Sequence, residues 1–399
     1  MHGVRAAALA NDDCLRKRRT GIAHYLGAIA RHWPLDAEVD LVGLRSPALV
    51  ADERARAHDI FPPPELLPPI SLRPLNRIEP ARRWVERTPF LDQAKGAWRI
   101  WRGLQAAAAL RTGRCRLVFE PNCLALDCGG PVLAAMQDLS VVELPHTHPA
   151  DRVRLWNREL RRAVQRTTHW ITLSQATADC LIGHAGLDRS DVTVIPAASR
   201  WTQPPSSWAP ATLRTRLKAP DRYLLYLGTI EPRKNLGALL DAYAQKPAAW
   251  RARTALILAG SPGWGSAAFW EQLRSHPVSR EVWTTGYVSD AQAAALLAGA
   301  TALVYPSLYE GFGLPLVEAM TFGAPIVASA IPSLTEVAGD AAILLNPADA
   351  VGWSEAIERI AEPGADRDEW VARGRRRGAL YSWPVAAERH HDLFRQFAL

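Results

Sequence analysis

The chain reads as an α/β protein built from two doubly wound domains, and three observations lead there. Its 399 residues exceed what one ordinary core organises. Short apolar runs alternate with helical patterns, as in a parallel sheet whose strands are joined by helices. The stretch 300–322 shows the repeating unit in full. An apolar run at 300–305 ends at a turn holding Gly311 and Gly313. Pro315 then suits the first turn of a helix reaching about Phe322.

The elements follow in order. Residues 4–10 form the first strand, and a polar, basic loop covers 11–19. Thr20 is a suitable N-cap for a helix reaching about His32, and Gly21 permits close backbone approach. Prolines at 62–64 and 68–69 mark an extended loop. Strands are expected at 117–120 and 131–136, a helix at 151–165 and a strand at 168–173. Ser174 caps a helix to about His184, and 191–196 is a further strand. Pro204-Pro205-Ser206-Ser207 has the composition of a linker. Strands at 223–228, 255–259, 281–285, 300–305, 325–329 and 341–345 form the second half, and 384–397 is a terminal helix. The expected domains are 1–203 and 211–382, with 383–399 crossing back to the first.

Hydrophobic content of 48% and charged content of 22% are those of a soluble globular protein. The net charge of +7 suits an anionic ligand or an anionic membrane surface. No basic–aromatic nucleic-acid motif is present, so nucleic acid is not an expected partner. Cys14, Cys115, Cys123, Cys128 and Cys180 are odd in number and lack a C-x-x-C pair. They read as reduced thiols of a cytoplasmic protein, neither a disulfide frame nor a zinc site. No signal-peptide pattern opens the chain. The longest uncharged run, 291–309, contains Gly299 and Pro306 and does not read as a membrane span.

Two loops carry the chemistry. Glu310 sits at a strand exit and Glu318 further down the next helix. The N–H groups at that helix start, around Gly311, Phe312, Gly313 and Leu314, form an anion site. Carboxylates beside an anion cradle suit a ligand with phosphates at one end and hydroxyls at the other, as in a nucleotide-sugar. After the run 223–228 come Arg233 and Lys234, a planar fork of donors beside a point charge. Both are expected to be exposed in a cleft.

The string E-G-F-G-L-P-x-x-E-A-M at 310–320, with seven residues between its glutamates, resembles the paired-glutamate motif of family-4 retaining glycosyltransferases. The Arg-Lys pair after Y-L-G and before N-L matches that family's second strong motif. The resemblance covers nearly all of the second half and the first half more thinly. It implies the GT-B fold, two Rossmann-like doubly wound domains facing a cleft. It further implies that Arg233 and Lys234 grip the donor diphosphate, Glu310 orients the donor sugar and Glu318 the ribose. Gly21 would approach the diphosphate from the first domain, and Gly286, Tyr287 and Val288 would lie along the base. Retention in the family is thought to proceed by attack on the leaving-group face, the departing phosphate taking the acceptor proton. No D-x-D stands at a strand end, since Asp366-Arg367-Asp368 falls in a helical region. Neither a metal nor a cofactor beyond the donor is therefore expected.

The chain departs from the family at two places. Gln137 stands where many members carry histidine, and Ser261-Pro262 where a basic residue is common. Asp138 either faces the cleft as a catalytic residue or caps the following loop. The T-G-I-x-x-Y turn, the D-L-S segment and the G-W loop resemble bacterial mannosyl- and related transferases of O-antigen and exopolysaccharide assembly. The implied reaction is transfer of mannose from GDP-mannose to a saccharide acceptor, lipid-linked in that setting. A UDP- or other nucleotide-sugar transferase, a GT-B epimerase, a glycogen-type synthase and an inactive nucleotide-sugar-binding scaffold are the alternatives.

Residues 73–116 hold eleven Arg or Lys and three acids, with Trp84, Trp98 and Trp101 interleaved. Lys95 to Arg102 reads as a basic amphipathic helix. Either it docks the protein on the inner face of the cytoplasmic membrane, or it is a solvated helix with its tryptophans in the core.

Overall fold

The computed structural model describes residues 6–12, 15, 21–55, 89–123, 126–202, 210–218 and 220–399. The Thr20 cap, Cys14, the prolines at 62–69, Trp84 and the linker prolines lie outside the described residues.

The described strands form two six-stranded sheets in which every pairing is parallel. The first contains β1 (Ala6–Ala10), β2 (Val39–Gly43), β3 (Leu117–Glu120), β4 (Val132–Met136), β5 (His169–Thr172) and β6 (Val192–Val194), in the order β2-β1-β3-β4-β5-β6. The second contains β7 (Tyr223–Leu227), β8 (Ala255–Ala259), β9 (Val282–Gly286), β10 (Ala302–Tyr305), β11 (Ile326–Ser329) and β12 (Ile343–Leu345), in the order β12-β11-β10-β7-β8-β9. Runs such as Tyr-Leu-Leu-Tyr-Leu in β7 and Ala-Leu-Ile-Leu-Ala in β8 are buried throughout. Helices cover both sheet faces, so a strand with no wet side must be apolar at every position. β2 was not expected, because Asp40 interrupts its apolar run. Its burial alternates, as at a sheet edge.

Chain order reverses between β1 and β3 in the first sheet and between β7 and β10 in the second. Connections on either side of such a point run to opposite faces and leave a crevice at the carboxyl ends of the strands. The loops leaving β7 and β10 are thereby set side by side, although some 75 residues separate them. The final helix, Trp383–Ala398, packs on the helix Gly21–Arg31 and on β1, β2 and β3. The Tyr25 hydroxyl and His390 Nε2 are 2.7 Å apart, and Phe394 is fully buried against Trp33 and Phe119.

The described part of the basic segment departs from the arrangement that puts its tryptophans in the core, and residues 73–88 lie outside the described residues. One helix runs from Pro89 to Arg111. Arg102 is 1% exposed, bonded to Gln105 at 2.9 Å and lying under the rings of Trp98 and Trp101. Arg99 pairs with Glu159 on the helix Ala150–Arg166. Trp98, Ile100, Trp101 and Leu104 are large apolar residues left exposed, at 37, 69, 50 and 60%. These tryptophans are therefore not core. Arg99 turns to a buried carboxylate and Arg102 is covered, leaving an apolar ridge outside.

Candidate active site between the two sheets

The loop after β7 tightens into a 3-10 turn, Pro232–Lys234, before the helix Leu236–Ala244. Proline at its first position fixes φ and needs no N–H partner. The loop after β10 carries Ser307 to Gly313 into the helix Leu314–Phe322. Leu308 N–H donates to Arg233 O at 2.8 Å and ties the two loops together.

Their side chains form one charge cluster. Arg233 Nη1 donates to Glu310 Oε2 at 2.9 Å and to the Tyr309 carbonyl at 2.8 Å. Its Nε lies 2.5 Å from Glu231 Oε1. The Lys234 ammonium pairs with Glu310 Oε1 and donates to the Tyr305 hydroxyl at 3.1 Å. Ser307 Oγ donates to Glu310 Oε1 at 2.7 Å. Two cations thus face two carboxylates, and Glu231, Lys234 and Glu310 are all buried. This corrects the expectation of an exposed basic pair. A desolvated cation is tolerated only beside a counter-charge, and Glu231 and Glu310 supply it. Burial alone would raise the Glu310 carboxyl, but Arg233, Lys234 and the Ser307 hydroxyl outweigh it and hold its pKa at about 2. Burial, reinforced by Arg233, pulls the Lys234 ammonium below its ordinary value.

The cluster opens on a cavity of about 520 Å³ between the sheets. Gly21, Asp138, Arg152 and Trp156 line it from the first half, Arg233, Lys234 and Trp264 from the second. A Cβ on Gly21 would meet no heavy atom within 4 Å, so backbone there faces open space. Asp138 caps the following loop and also lines the cavity. Its Oδ1 accepts from Ser140 N and Oγ at 3.0 and 2.7 Å. Gln137 turns its amide to the Pro121 carbonyl at 3.2 Å. Trp264 reaches across from the second half. Its indole N–H donates to Thr147 O at 3.0 Å, its ring stacks on His148 at 5.2 Å, and Arg152 lies 4.1 Å over it. Burial, then the charges of Arg152 and Arg233, lower the His148 pKa to about 4.

Other expected site residues lie apart from this cluster. Glu318 is 1% exposed, and both its oxygens are held by Arg200, at 2.5 and 3.1 Å. Arg200 also donates to Asp290 Oδ1 at 2.9 Å. Gly286 has φ +66°, Tyr287 is exposed and Val288 packs on the core. Phe312 points inward, edge-on to Tyr381 at 5.6 Å. Gly313, at φ +95°, precedes the helix Leu314–Phe322, whose first turn has no side-chain cap. Leu314 is half-buried. Glu231, Ser307, Arg200 and Trp264 were missed as site residues. Glu231 could have been found, since it shares a loop with the basic pair; Arg200 follows β6 with no local pattern to mark it. Among the described residues, no group of three or more His, Cys, Asp or Glu is placed to hold a metal ion.

Comparison with known proteins bears on this arrangement. Residues 19–198 match the family described as Glycosyltransferase Family 4, and 213–377 match Glycosyl transferases group 1. The O-antigen chain mannosyltransferase B of Escherichia coli is 33% identical over 305 residues, covering 75% of this chain and 78% of that relative. The chain belongs to the family-4 glycosyltransferases. Another relative in similarity is the MMP alpha-(1->4)-mannosyltransferase of Mycolicibacterium hassiacum, 28% identical over 71% of this chain and 72% of its own length. Among solved structures, Anabaena Alr3699/HepE in complex with UDP superposes with a TM-score of 0.66 at 18% identity, over 98% of this chain and all of that one. This family-4 enzyme has the GT-B fold that the sequence implies, and it is a glycosyltransferase. No helix among the described residues is long and apolar enough to cross a membrane.

Proposed function

We propose that this glycosyltransferase moves mannose from GDP-mannose to a saccharide acceptor with retention of configuration, in cell-surface polysaccharide synthesis. The observation that carries the reading is the Arg233–Lys234–Glu310 cluster at the β7/β10 switch point, open to a cavity between the sheets. Two mannosyltransferases among the relatives support the choice of sugar.

The reaction must stabilise a departing diphosphate and a sugar that gains oxocarbenium character. Arg233, Lys234 and the amides near Gly311–Leu314 meet the diphosphate as fixed donors. In the resting protein Glu231 and Glu310 neutralise the two cations, so an arriving diphosphate shares them rather than finding them bare. Glu310 stays ionised and accepts donor-sugar hydroxyls. Because two cations and a hydroxyl already hold it, it does not act as a base. The departing phosphate takes the acceptor proton, so no protein base and no divalent metal are required. Asp138 offers the acceptor side its second oxygen. Gly21 leaves room for the diphosphate, and Gly286, Tyr287 and Val288 border the nucleoside. For Glu318 to reach the ribose, Arg200 must swing fully onto Asp290.

Thermal shift against a panel of nucleotide-sugars tests the donor. A ligand at 100 times its dissociation constant adds about 2.7 kcal/mol. GDP-mannose should give the largest shift. A larger shift with UDP-glucose would overturn mannose as the donor, and donor binding without slow hydrolysis would favour the inactive scaffold.

A lipid-linked acceptor on an anionic membrane is the finer reading of the partner, and the apolar ridge on helix Pro89–Arg111 favours it. Glu159 gathers Arg99, Arg158 and Arg162 beside the ridge, the last two about half exposed. Tryptophans next to arginines suit the headgroup boundary of an anionic bilayer. Co-sedimentation with anionic vesicles should fall with salt and on Trp98→Ser with Trp101→Ser. Equal pelleting of parent and variant would remove the membrane from the account.

A further inference from the structure

The turn that carries Glu310 is held from two sides, and one of them belongs to the other sheet. Helix Gln175–Ala185, which follows β5, opens with Ser174 as N-cap, its Oγ accepting from Thr177 N at 3.1 Å. A capping hydroxyl still has its own proton to give. Here Ser174 Oγ donates to the Gly311 carbonyl at 2.6 Å, and Thr177 Oγ1 donates to the same carbonyl at 2.8 Å. Ser174 and Thr177 are 0 and 1% exposed. The first amides of that helix, Gln175 and Ala176, do not face a ligand. They donate to the two oxygens of Glu336, at 2.8 and 3.0 Å.

Glu336 lies on the helix Pro332–Ala338 of the second half, whose Ser333 Oγ donates to the Glu310 carbonyl at 2.6 Å. Consecutive carbonyls, 310 and 311, are thus fixed, one by each half of the molecule. The fit leaves no slack. A Cβ on Gly311 would stand 1.8 Å from the Gln137 carbonyl, and Leu139 N donates to the Tyr309 hydroxyl at 3.3 Å. These contacts are polar, and each partner can take water in exchange. Such a seam can part and re-form, as a wide apolar one cannot.

We infer that Ser174, Thr177 and Glu336 form a clasp that brings the Glu310 turn to its working position only when the two halves close on each other. They are positioning residues: none reaches the cavity, and each acts through backbone next to Glu310. Closure and correct placement of Glu310 are then one event. The kinetic part of this inference rests on the proposed transfer reaction; the structural part does not.

Thr177→Val removes the hydroxyl and keeps the shape, Thr177→Ser restores the hydroxyl, and Glu336→Gln removes the charge. Thr177→Val should lower kcat about ten-fold, the scale of one hydrogen bond lost from the reacting geometry, with donor KM within about two-fold. Thr177→Ser should recover most of the loss, which a packing defect would not allow. Small-angle X-ray scattering of the Thr177→Val/Glu336→Gln double variant should give a larger radius of gyration than the parent. Parent-like kcat in every variant, together with an unchanged scattering profile, would overturn the clasp. If the parent itself turns over no donor, the transfer reading fails and scattering alone decides the clasp.

Discussion

The two sheets present opposite kinds of edge to the cleft. The second offers Glu231, Arg233, Lys234 and Glu310, mutually paired and buried except for the partly buried Arg233. The first offers Gly21, Gln137, Asp138 and Trp156, a wall of hydrogen-bonding groups and ring surface around open space. One edge concentrates paired charge, and the other mixes Asp138 and Arg152 with ring surface and open space. The difference teaches that the cations proposed to meet the leaving group are held in place beforehand by carboxylates. Ionised groups can be kept in a dry site only if each has its partner before the ligand arrives.

The largest expected effect comes from breaking the charged edge. Arg233→Ala or Lys234→Ala should each lower turnover by roughly 10²–10³-fold, the scale for removing one preorganised donor. Because Lys234 is buried against Glu310, its removal should also cost about 3–5 kcal/mol in a denaturant titration, as for any half-broken buried pair. Near-normal turnover in both variants would move the diphosphate elsewhere.

Contact between the edges gives the next effect. Gly311→Ala places a methyl group where the Gln137 carbonyl stands, so the halves must part or the Glu310 turn must shift. Turnover should fall by at least about ten-fold, more than for loss of a single clasp hydroxyl. Steady-state kinetics at wild-type activity would mean that the edges need not touch.

Acid should then separate the two edges. Glu310 titrates at about 2 in the folded protein against an ordinary 4.5, so its contribution is present above pH 4.5 and lost as pH falls towards 2. It is worth on the order of 3 kcal/mol. On the first edge, His148 is lowered from 6.5 to about 4, and the buried His390 in the core likewise. The unfolded chain takes up their protons first, so stability falls as pH drops from 6.5 to 4. In melts against pH, Glu310→Gln should flatten the lower window and His148→Gln part of the upper one. A Glu310→Gln curve parallel to the parent's below pH 4.5 would contradict the ion-paired cluster.

What could be read in advance followed the same division. The second half was legible because its motif is local. Strand, glycine turn, Pro315 and helix lie within about twenty residues, so the positions of β7, β8 and β10 and of Glu310 could be read to within two residues. That Lys234 would be buried and Arg233 partly so was not legible. It depends on the β7/β10 adjacency, a property of the fold and not of the string. The first half was read more thinly because its contributions are dispersed. Ser174 could be named as a helix cap, but nothing near it in sequence says that its proton crosses to Gly311. The exposed ridge of helix Pro89–Arg111 misled for a related reason. Composition counts arginines, whereas Glu159, sixty residues on, decides which way Arg99 turns.

The smallest expected effect is that of metal removal. If the basic pair and the helix start supply all the charge a diphosphate needs, excess EDTA should change the rate by less than about two-fold. A collapse restored by magnesium or manganese would show that Arg233 and Lys234 do not suffice.

The central claim is a retaining transfer at the edge formed by Arg233, Lys234 and Glu310. The most direct measurement is the anomeric configuration of the product, read by NMR after incubation with GDP-mannose and a mannose-terminated saccharide. The account expects the new linkage to keep the configuration that the donor carries. An inverted linkage would contradict it, because inversion calls for a protein base on the acceptor side, and the pairing of Glu310 leaves that residue unable to serve.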